Sequence, residues 1–214
     1  MTTVWSDCKT DSLLTTRSRP VLDDAVLHRI SRLRDPADVR DHRGARILAA
    51  HCVASLAGVP VHAVHLRQRC SSCGGDGHGR PVVVGLPQVS VSWSHSRGHV
   101  AATASSGAVA VDVERRRDVV LWQALSPDER DWVDGQHDRP RAFARLWCRK
   151  ECVVKLGHAS LDHLSDVGFV TDGRLTPHAD GWVVTERSAR DSTVVVLSHD
   201  LPVRATLPLD AARW

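Results

Sequence analysis

Apolar residues recur at helical spacing in two early stretches of the chain. Over residues 20–34 they are Val21, Val26, Leu27, Ile30 and Leu33, with Asp23 and Asp24 suited to a first turn. Over 36–57 Ile47, Leu48, Val53 and Leu56 form one side, and Gly58-Val59-Pro60 stops the pattern. An alternating run at 61–66 predicts a strand. Residues 70–81, CSSCGGDGHGRP, have no period and read as a glycine-rich loop. Short β-branched runs follow at 81–84, 89–93, 99–104 and 108–113, punctuated by Gly and Ser, and predict an antiparallel sheet. Ser126-Pro127-Asp128-Glu129 is a helix start, with a capping serine, proline at the first helical position and a capping-box glutamate. Gly135 ends that helix. A longer one over 139–156 ends at Gly157, and strands are predicted at 167–170, 181–186, 193–199 and 203–207.

The order is helices then strands, twice. Residues 45–58 (ARILAAHCVASLAG) and 144–157 (ARLWCRKECVVKLG) share length and endpoints. The pattern predicts an α+β fold of two similar halves, 1–104 and 105–214, related by a pseudo-twofold. Each half would pack a helix on a small antiparallel sheet, with the active cleft between them.

Composition narrows the class. No apolar run reaches about 18 residues, so no membrane span is expected. The first residues lack a basic start followed by an apolar core, so no secretory signal is expected. The expected location is the cytoplasm, where the six cysteines would be reduced thiols. A formal charge of +3 fits an anionic ligand or an acidic partner. It does not argue for nucleic acid, which would demand steeply salt-dependent binding.

Four segments carry candidate chemistry. In a strand, Asp112 and Glu114 point to one face and Val111 and Val113 to the other. Two carboxylates at one point suit a hard cation such as Mg²⁺. The alternative is a strand leaving its sheet for solvent ahead of Arg115-Arg116-Arg117. On the helix, Trp147, Glu151 and Lys155 share a face at i, i+4 and i+8. They make either a surface Glu–Lys pair or a third metal carboxylate or base, with a cation one turn away. Val91-Ser92-Trp93-Ser94-His95-Ser96 would deliver hydroxyls and an imidazole to a loop, suited to phosphate oxygens. Nucleophilic catalysis by Ser94 or Ser96 with His95 is disfavoured, because neighbouring residues rarely reach the required geometry. Cys70, Cys73 and His78 offer three zinc ligands, where a closed structural site needs four and no second CxxC exists. That segment is read as a loop over the ligand, with zinc left open.

These segments stand in the order and spacing of the Sfp-type 4′-phosphopantetheinyl transferases, whose family the chain resembles. VSWSHS (91–96) resembles the family's serine–histidine motif, and VAVDVE (109–114) its V-G-I-D-x-E strand. LWCRKECVVK (146–155) resembles its W-S-x-K-E-x-x-x-K helix, and residues 70–81 its C-x-x-C-G-x-x-H-G-K/R-P segment. The resemblance covers about residues 40–157. It implies transfer of phosphopantetheine from coenzyme A to a serine of an apo acyl or peptidyl carrier protein, with release of 3′,5′-ADP. It implies Mg²⁺ on Asp112, Glu114 and Glu151, with Glu151 or a metal-bound water as base and Lys155 on the phosphates. Ser94, His95, Arg80 and Arg43 would contact coenzyme A, with Arg29 and Arg32 as looser candidates. A monomer is the expectation for two-half members. The chain departs from the pattern at Ala110, where glycine is usual, and at Cys148 and Cys152. An inert relative that binds coenzyme A or a carrier protein is the alternative function.

Overall fold

The chain begins with β1 (Thr3–Lys9), α1 (Thr10–Leu14), β2 (Val21–Leu22), α2 (Asp24–Ser31) and α3 (Pro36–Ala57). Strands β3 (His65–Arg69), β4 (Arg80–Val83), β5 (Ser90–Ser96), β6 (His99–Ser105) and β7 (Val109–Arg115) follow. Next come α4 (Pro127–Asp134) and α5 (Arg139–Leu156). The remainder is β8 (Val170–Thr171), β9 (Arg174–Leu175), β10 (His178–Ala179), β11 (Trp182–Ser188), β12 (Ser192–Ser198) and β13 (Val203–Arg204). These elements are those of a computed structural model that describes residues 2–14, 20–70, 73–116, 118–176, 178–179 and 181–204. Ser71, Ser72, Arg117 and the end of the strand expected at 203–207 lie outside the described residues.

Local chemistry sets the long helices. Asp35 accepts from the Ala37 N–H at 2.8 Å, and Pro36 opens α3. The capping box of α4 is complete: Ser126 N–H donates to Glu129 at 2.9 Å, and Glu129 N–H donates to the Ser126 hydroxyl at 3.4 Å. Gly58 and Gly157 end α3 and α5 in the left-handed region, at φ 68° and 83°.

Two sheets carry the architecture, ordered β13-β1-β6-β5 and β10-β11-β12-β7. In each half a first strand leads to a long helix, then to a hairpin whose last strand pairs antiparallel with the first. The α+β class is the one the sequence pattern predicts. A division after residue 104 falls inside β6, one residue before its end at Ser105. Strand β13 also crosses it, pairing parallel with β1 at Val4↔Val203 and Trp5↔Arg204.

The packing has four layers. Helix α3 buries Leu48, Ala49 and Val53 against Val91, Val100 and Ala102 of the first sheet. Trp5 and Ala101 meet Val109, Val111, Val113, Val194 and Val196 of the second sheet. Helix α5 closes the far side, with Cys148, Cys152 and Leu156 on Ala110, Val195 and Leu197. Strand β7 is buried on both faces, which is why 108–113 reads as an unbroken apolar run until Asp112.

Several expectations are corrected. The strand predicted at 61–66 begins as a 3₁₀ turn, Val61–Ala63, and pairs only from His65. Pro60 sets that turn through its fixed φ. The helix predicted over 20–34 is shorter, with β2 before it. The strand predicted at 167–170 is largely preceded by a 3₁₀ segment, Leu161–Asp166, and pairs only at β8. Strand β1 has no counterpart in the sequence pattern, although it is central in its sheet. Its polar residues Thr3 and Asp7 are buried and partnered. Thr3 bonds the Ser105 hydroxyl at 2.9 Å, and Asp7 takes Arg187 and Arg204. Buried polar residues erase the period-2 signal. Among the described residues no helix is long and apolar enough to cross a membrane.

One buried ion pair ties α4 to α5. Lys150 Nζ lies 2.7 Å from Glu129, and both side chains are fully buried. The ammonium also donates to the carbonyls of Leu164 and Val167, and Glu129 accepts from Phe169 N–H at 2.9 Å. All three ammonium donors are therefore used. Burial pulls the Lys150 pKa down against the opposing pull of Glu129. A saturated pair of this kind is close to neutral against an apolar substitute, but one partner alone is an uncompensated charge. Glu129→Ala is therefore expected to cost about 3–5 kcal/mol in urea denaturation, and Glu129→Leu with Lys150→Met to recover most of it.

Candidate active site at the seam between the halves

The edge strands β5 and β7 face each other where the two sheets meet. No backbone ladder joins them, so the edge groups of β7 need other partners. A row of serines on β5 supplies them. Ser92, Ser94 and Ser96 stand at i, i+2 and i+4 and so share a face. The Ser92 hydroxyl accepts from Val111 N–H at 3.2 Å, and the Ser96 hydroxyl from Arg115 N–H at 3.2 Å. Ser94 donates to Asp112 Oδ1 at 2.7 Å, and Ser96 donates to Glu114 Oε2 at 3.0 Å.

Helix α5 adds the remaining charges. Lys155 Nζ donates to Asp112 Oδ1 at 2.7 Å and to the Val111 carbonyl at 2.9 Å. Lys155 thus pairs across to the strand carboxylate, which replaces the surface pair with Glu151 that helical spacing allowed. Burial raises the Glu151 pKa, the charges of Asp112 and Glu114 raise it further, and Lys155 opposes them. Burial acts most strongly, against the Lys155 ammonium, but Asp112, Cys152 and Glu151 together outweigh it and the net shift is upward. Asp112 Oδ2 is buried with no hydrogen-bond partner. An all-oxygen donor set with one orphaned buried carboxylate oxygen fits a hard cation. The three carboxylates are not drawn within 4.8 Å of one another as a set; among the described residues Cys70, Cys73 and His78 are.

A basic pocket lies on the N-terminal side of the seam. Arg29, His42, Arg46, Gln68, Trp93, Ser94 and His95 line a cavity of about 210 Å³. Arg46 is buried, with its guanidinium 5.2 Å from the Trp93 ring centre. It donates to the His42 carbonyl at 2.9 Å and to Gln68 Oε1 at 2.6 Å, while its Nε has no partner. Burial, helped by Arg29, lowers its pKa to about 10, so it stays charged at neutral pH. His42 and His95 lie against each other with ring centres 4.5 Å apart. Burial, then His95 and the arginines, pushes His42 down to about 4. Burial also lowers the His95 pKa. Gln68 and Trp93 also line a larger cavity of about 980 Å³, which reaches Arg80, Lys155 and Gly157.

The structure brings together Asp112, Glu114, Glu151, Lys155 and Ser94, and places His95 at the adjoining pocket. Ser94, His95 and Ser96 are not in a loop as expected: they lie inside β5. Strand alternation sends the serines to β7 and His95 to the arginine pocket, which also removes the Ser–His nucleophile reading. Arg80 donates to the Leu156 carbonyl at the end of α5 and lines the larger cavity. A methyl group on Gly157 would sit 2.8 Å from Arg80 Nη2, so glycine there serves both the cap and this contact. Arg43 is exposed and outside these cavities, as is Arg32. Arg29 lines the pocket and donates to the Gly77 carbonyl at 3.1 Å. Arg46 is the residue that sequence reasoning missed. Its signal was a lone arginine inside the apolar run 45–54 of α3.

The residues that depart from the family pattern are packed. Ala110, Cys148 and Cys152 are fully buried in one cluster beneath α5. The two thiols donate to the carbonyls of Thr193 and Val195, each at 3.5 Å. Burial raises both thiol pKa values, which makes them inert packing groups.

No curated protein matches the chain. A family model does match, over the half that carries β7 and α5. Residues 108–202, with Asp112, Glu114 and the Glu151–Lys155 helix among them, match the model of the 4′-phosphopantetheinyl transferase superfamily.

Proposed function

We propose that the chain transfers 4′-phosphopantetheine from coenzyme A to a serine hydroxyl of an apo acyl or peptidyl carrier protein. Phosphopantetheine transfer is the activity of the superfamily matched by residues 108–202. The observation that carries the finer reading is the placement of Asp112 and Lys155 beside a buried arginine pocket. One side of the seam is acidic and suits a cation, and the other is basic and suits phosphates.

In this reading the pocket of Arg29, Arg46, His42 and His95 takes the phosphates of the nucleotide end, and Arg80 lines the path toward Lys155. Arg43 and Arg32, being exposed, are left with outer electrostatic roles. Asp112, Glu114 and Glu151 would hold Mg²⁺, which neutralises and orients a diphosphate when bound. The carrier serine oxygen forms a bond to the β-phosphorus, and the bond from that phosphorus to the 3′,5′-ADP oxygen breaks. Glu151, or a water beside it, receives the serine proton. Lys155 supplies fixed positive charge beside Asp112.

Incubation with coenzyme A, Mg²⁺ and a panel of apo carriers should add one phosphopantetheine to at least one carrier by intact mass. No mass gain on any carrier sinks the proposal. Asp112→Asn and Glu151→Gln keep side-chain shape and should each slow transfer by about 10²–10³-fold, the loss expected for several kcal/mol of transition-state stabilisation. Full activity in both would remove the metal assignment.

The basic pocket makes a separate prediction. Arg46→Ala should weaken 3′,5′-ADP binding by roughly 10–100-fold in calorimetry, as for a lost charge-assisted hydrogen bond. A bound phosphate favours protonated imidazole, while the free His42 is neutral at pH 7. Binding is thus expected to take up protons, increasingly as the pH falls from 7 towards 5. Calorimetry in buffers of different ionisation enthalpy reads this uptake, and His42→Ala should reduce it.

A further inference from the structure

The transfer reading leaves three ligating side chains of the 70–79 loop unused. The ligand atoms of Cys70, Cys73 and His78 all lie within 4.8 Å of one another. Cys73 Sγ is 3.4 Å from His78 Nε2. A tetrahedral zinc ion, with Zn–S of about 2.3 Å and Zn–N of about 2.0 Å, sets its S–N edge at about 3.5 Å. That edge therefore has the length a bound ion would impose.

The backbone holds this arrangement independently of the side chains. Gly74 N–H donates to the Cys70 carbonyl at 2.9 Å, and Cys70 N–H donates to the Gly75 carbonyl at 3.0 Å. These bonds tie the Cys70 backbone to the residues just after Cys73. Gly75 N–H donates to Cys73 Sγ at 3.4 Å, which fixes the direction of that side chain. Gly79 brings the chain back across β3: a methyl group there would lie 2.4 Å from the Arg69 carbonyl oxygen. At φ 87° it is also in the left-handed region, so only glycine lets His78 return over the cysteines this closely.

Chemistry selects the ion. Two thiolates and an imidazole are soft to borderline ligands and prefer zinc over magnesium. Cys70 is half-buried, and Cys73 and His78 are exposed, so an ion has a path in and a fourth position faces solvent. The loop also touches the basic pocket from behind. Gly77 accepts from Arg29 at 3.1 Å, and Gly79 accepts from Gln68 at 3.1 Å. Gln68 in turn accepts from the buried Arg46.

We propose that Cys70, Cys73 and His78 bind one zinc ion, with the fourth position open to solvent, as a clip that fixes the 70–79 loop behind the arginine pocket. Binding replaces the thiol protons of Cys70 and Cys73, which pass to solvent, so affinity rises with pH.

The test uses the full chain, reduced and stripped with a chelator. It is titrated with Co²⁺, which is then displaced by Zn²⁺. About one equivalent per chain is expected, with thiolate-to-cobalt charge-transfer and tetrahedral d–d bands that zinc abolishes. Cys73→Ser and His78→Ala should each weaken Zn²⁺ at least about tenfold while their circular dichroism stays that of the wild type. Absence of the bands, or wild-type affinity in both variants, overturns the site. So does a Cys70–Cys73 disulfide that persists in the reduced protein. Zinc should also slow amide exchange at 74–79, and unchanged exchange with metal bound would overturn the clip. No coenzyme A enters these measurements, so their failure is distinguishable from failure of the transfer assay.

Discussion

The structure turns on a carboxylate that has to be charged in a buried place. Asp112 sits on β7 where the sheets meet, and its side chain is only 6% exposed. An isolated ion there would be prohibitive. Ser94 from one half and Lys155 from the other both address Oδ1. Hydrogen bonds to a charged group are worth about 1.5–3 kcal/mol each, enough to hold the ion but only on one oxygen. The same serine row satisfies the β7 edge amides. The contact that makes the site possible therefore also joins the halves.

Much of this was legible in the sequence, for reasons that can be named. Helices α3 and α5 announce themselves through Asp35-Pro36, Gly58 and Gly157, whose effects are local. The Asp112–Glu114 pair follows from strand alternation alone. Strand β1 was not legible, because Thr3 and Asp7 are buried polar residues whose partners come from distant strands or from the tail, and Ser6 is buried as well. The serine motif was visible, but its direction was not. Knowing that Ser94 faces β7 requires knowing that two sheet edges meet. Arg46 was hidden for a related reason: helix periodicity assigns arginine to solvent, whereas Trp93 and Gln68 hold this one inside.

The departures at Ala110, Cys148 and Cys152 illustrate how a chain can change around a fixed site. The three residues touch one another beneath α5, one turn of helix over one strand position. A methyl group at residue 110 adds volume where α5 meets β7, and small thiols on the facing helix leave room for it. All the charged groups lie on the neighbouring positions, so the packing varies without moving them. Ala110 shares its strand face with Asp112 and Glu114, so the separation is along the strand: the packed cluster sits two residues before the first carboxylate.

Charge balance then decides what the seam can accept. Asp112, Glu114 and Glu151 are near enough for each to influence the proton affinity of Glu151, and Lys155 is the cation among them. Three carboxylates against one ammonium leave two negative charges uncompensated. A diphosphate brought to this point would be repelled, by about 4 kcal/mol for each pair of unit charges 4 Å apart at an effective dielectric of 20. The arginine pocket does not remove that repulsion, because Arg46 lies on the N-terminal side of the seam with His42 and Gln68, not among the carboxylates. A divalent cation on the carboxylates would cancel the excess. The raised pKa of Glu151 is the same imbalance expressed as proton affinity: without a cation, a proton is the alternative way to remove charge. An anionic ligand and a hard cation are therefore not independent guests of this seam, since each is favoured only where the other is bound.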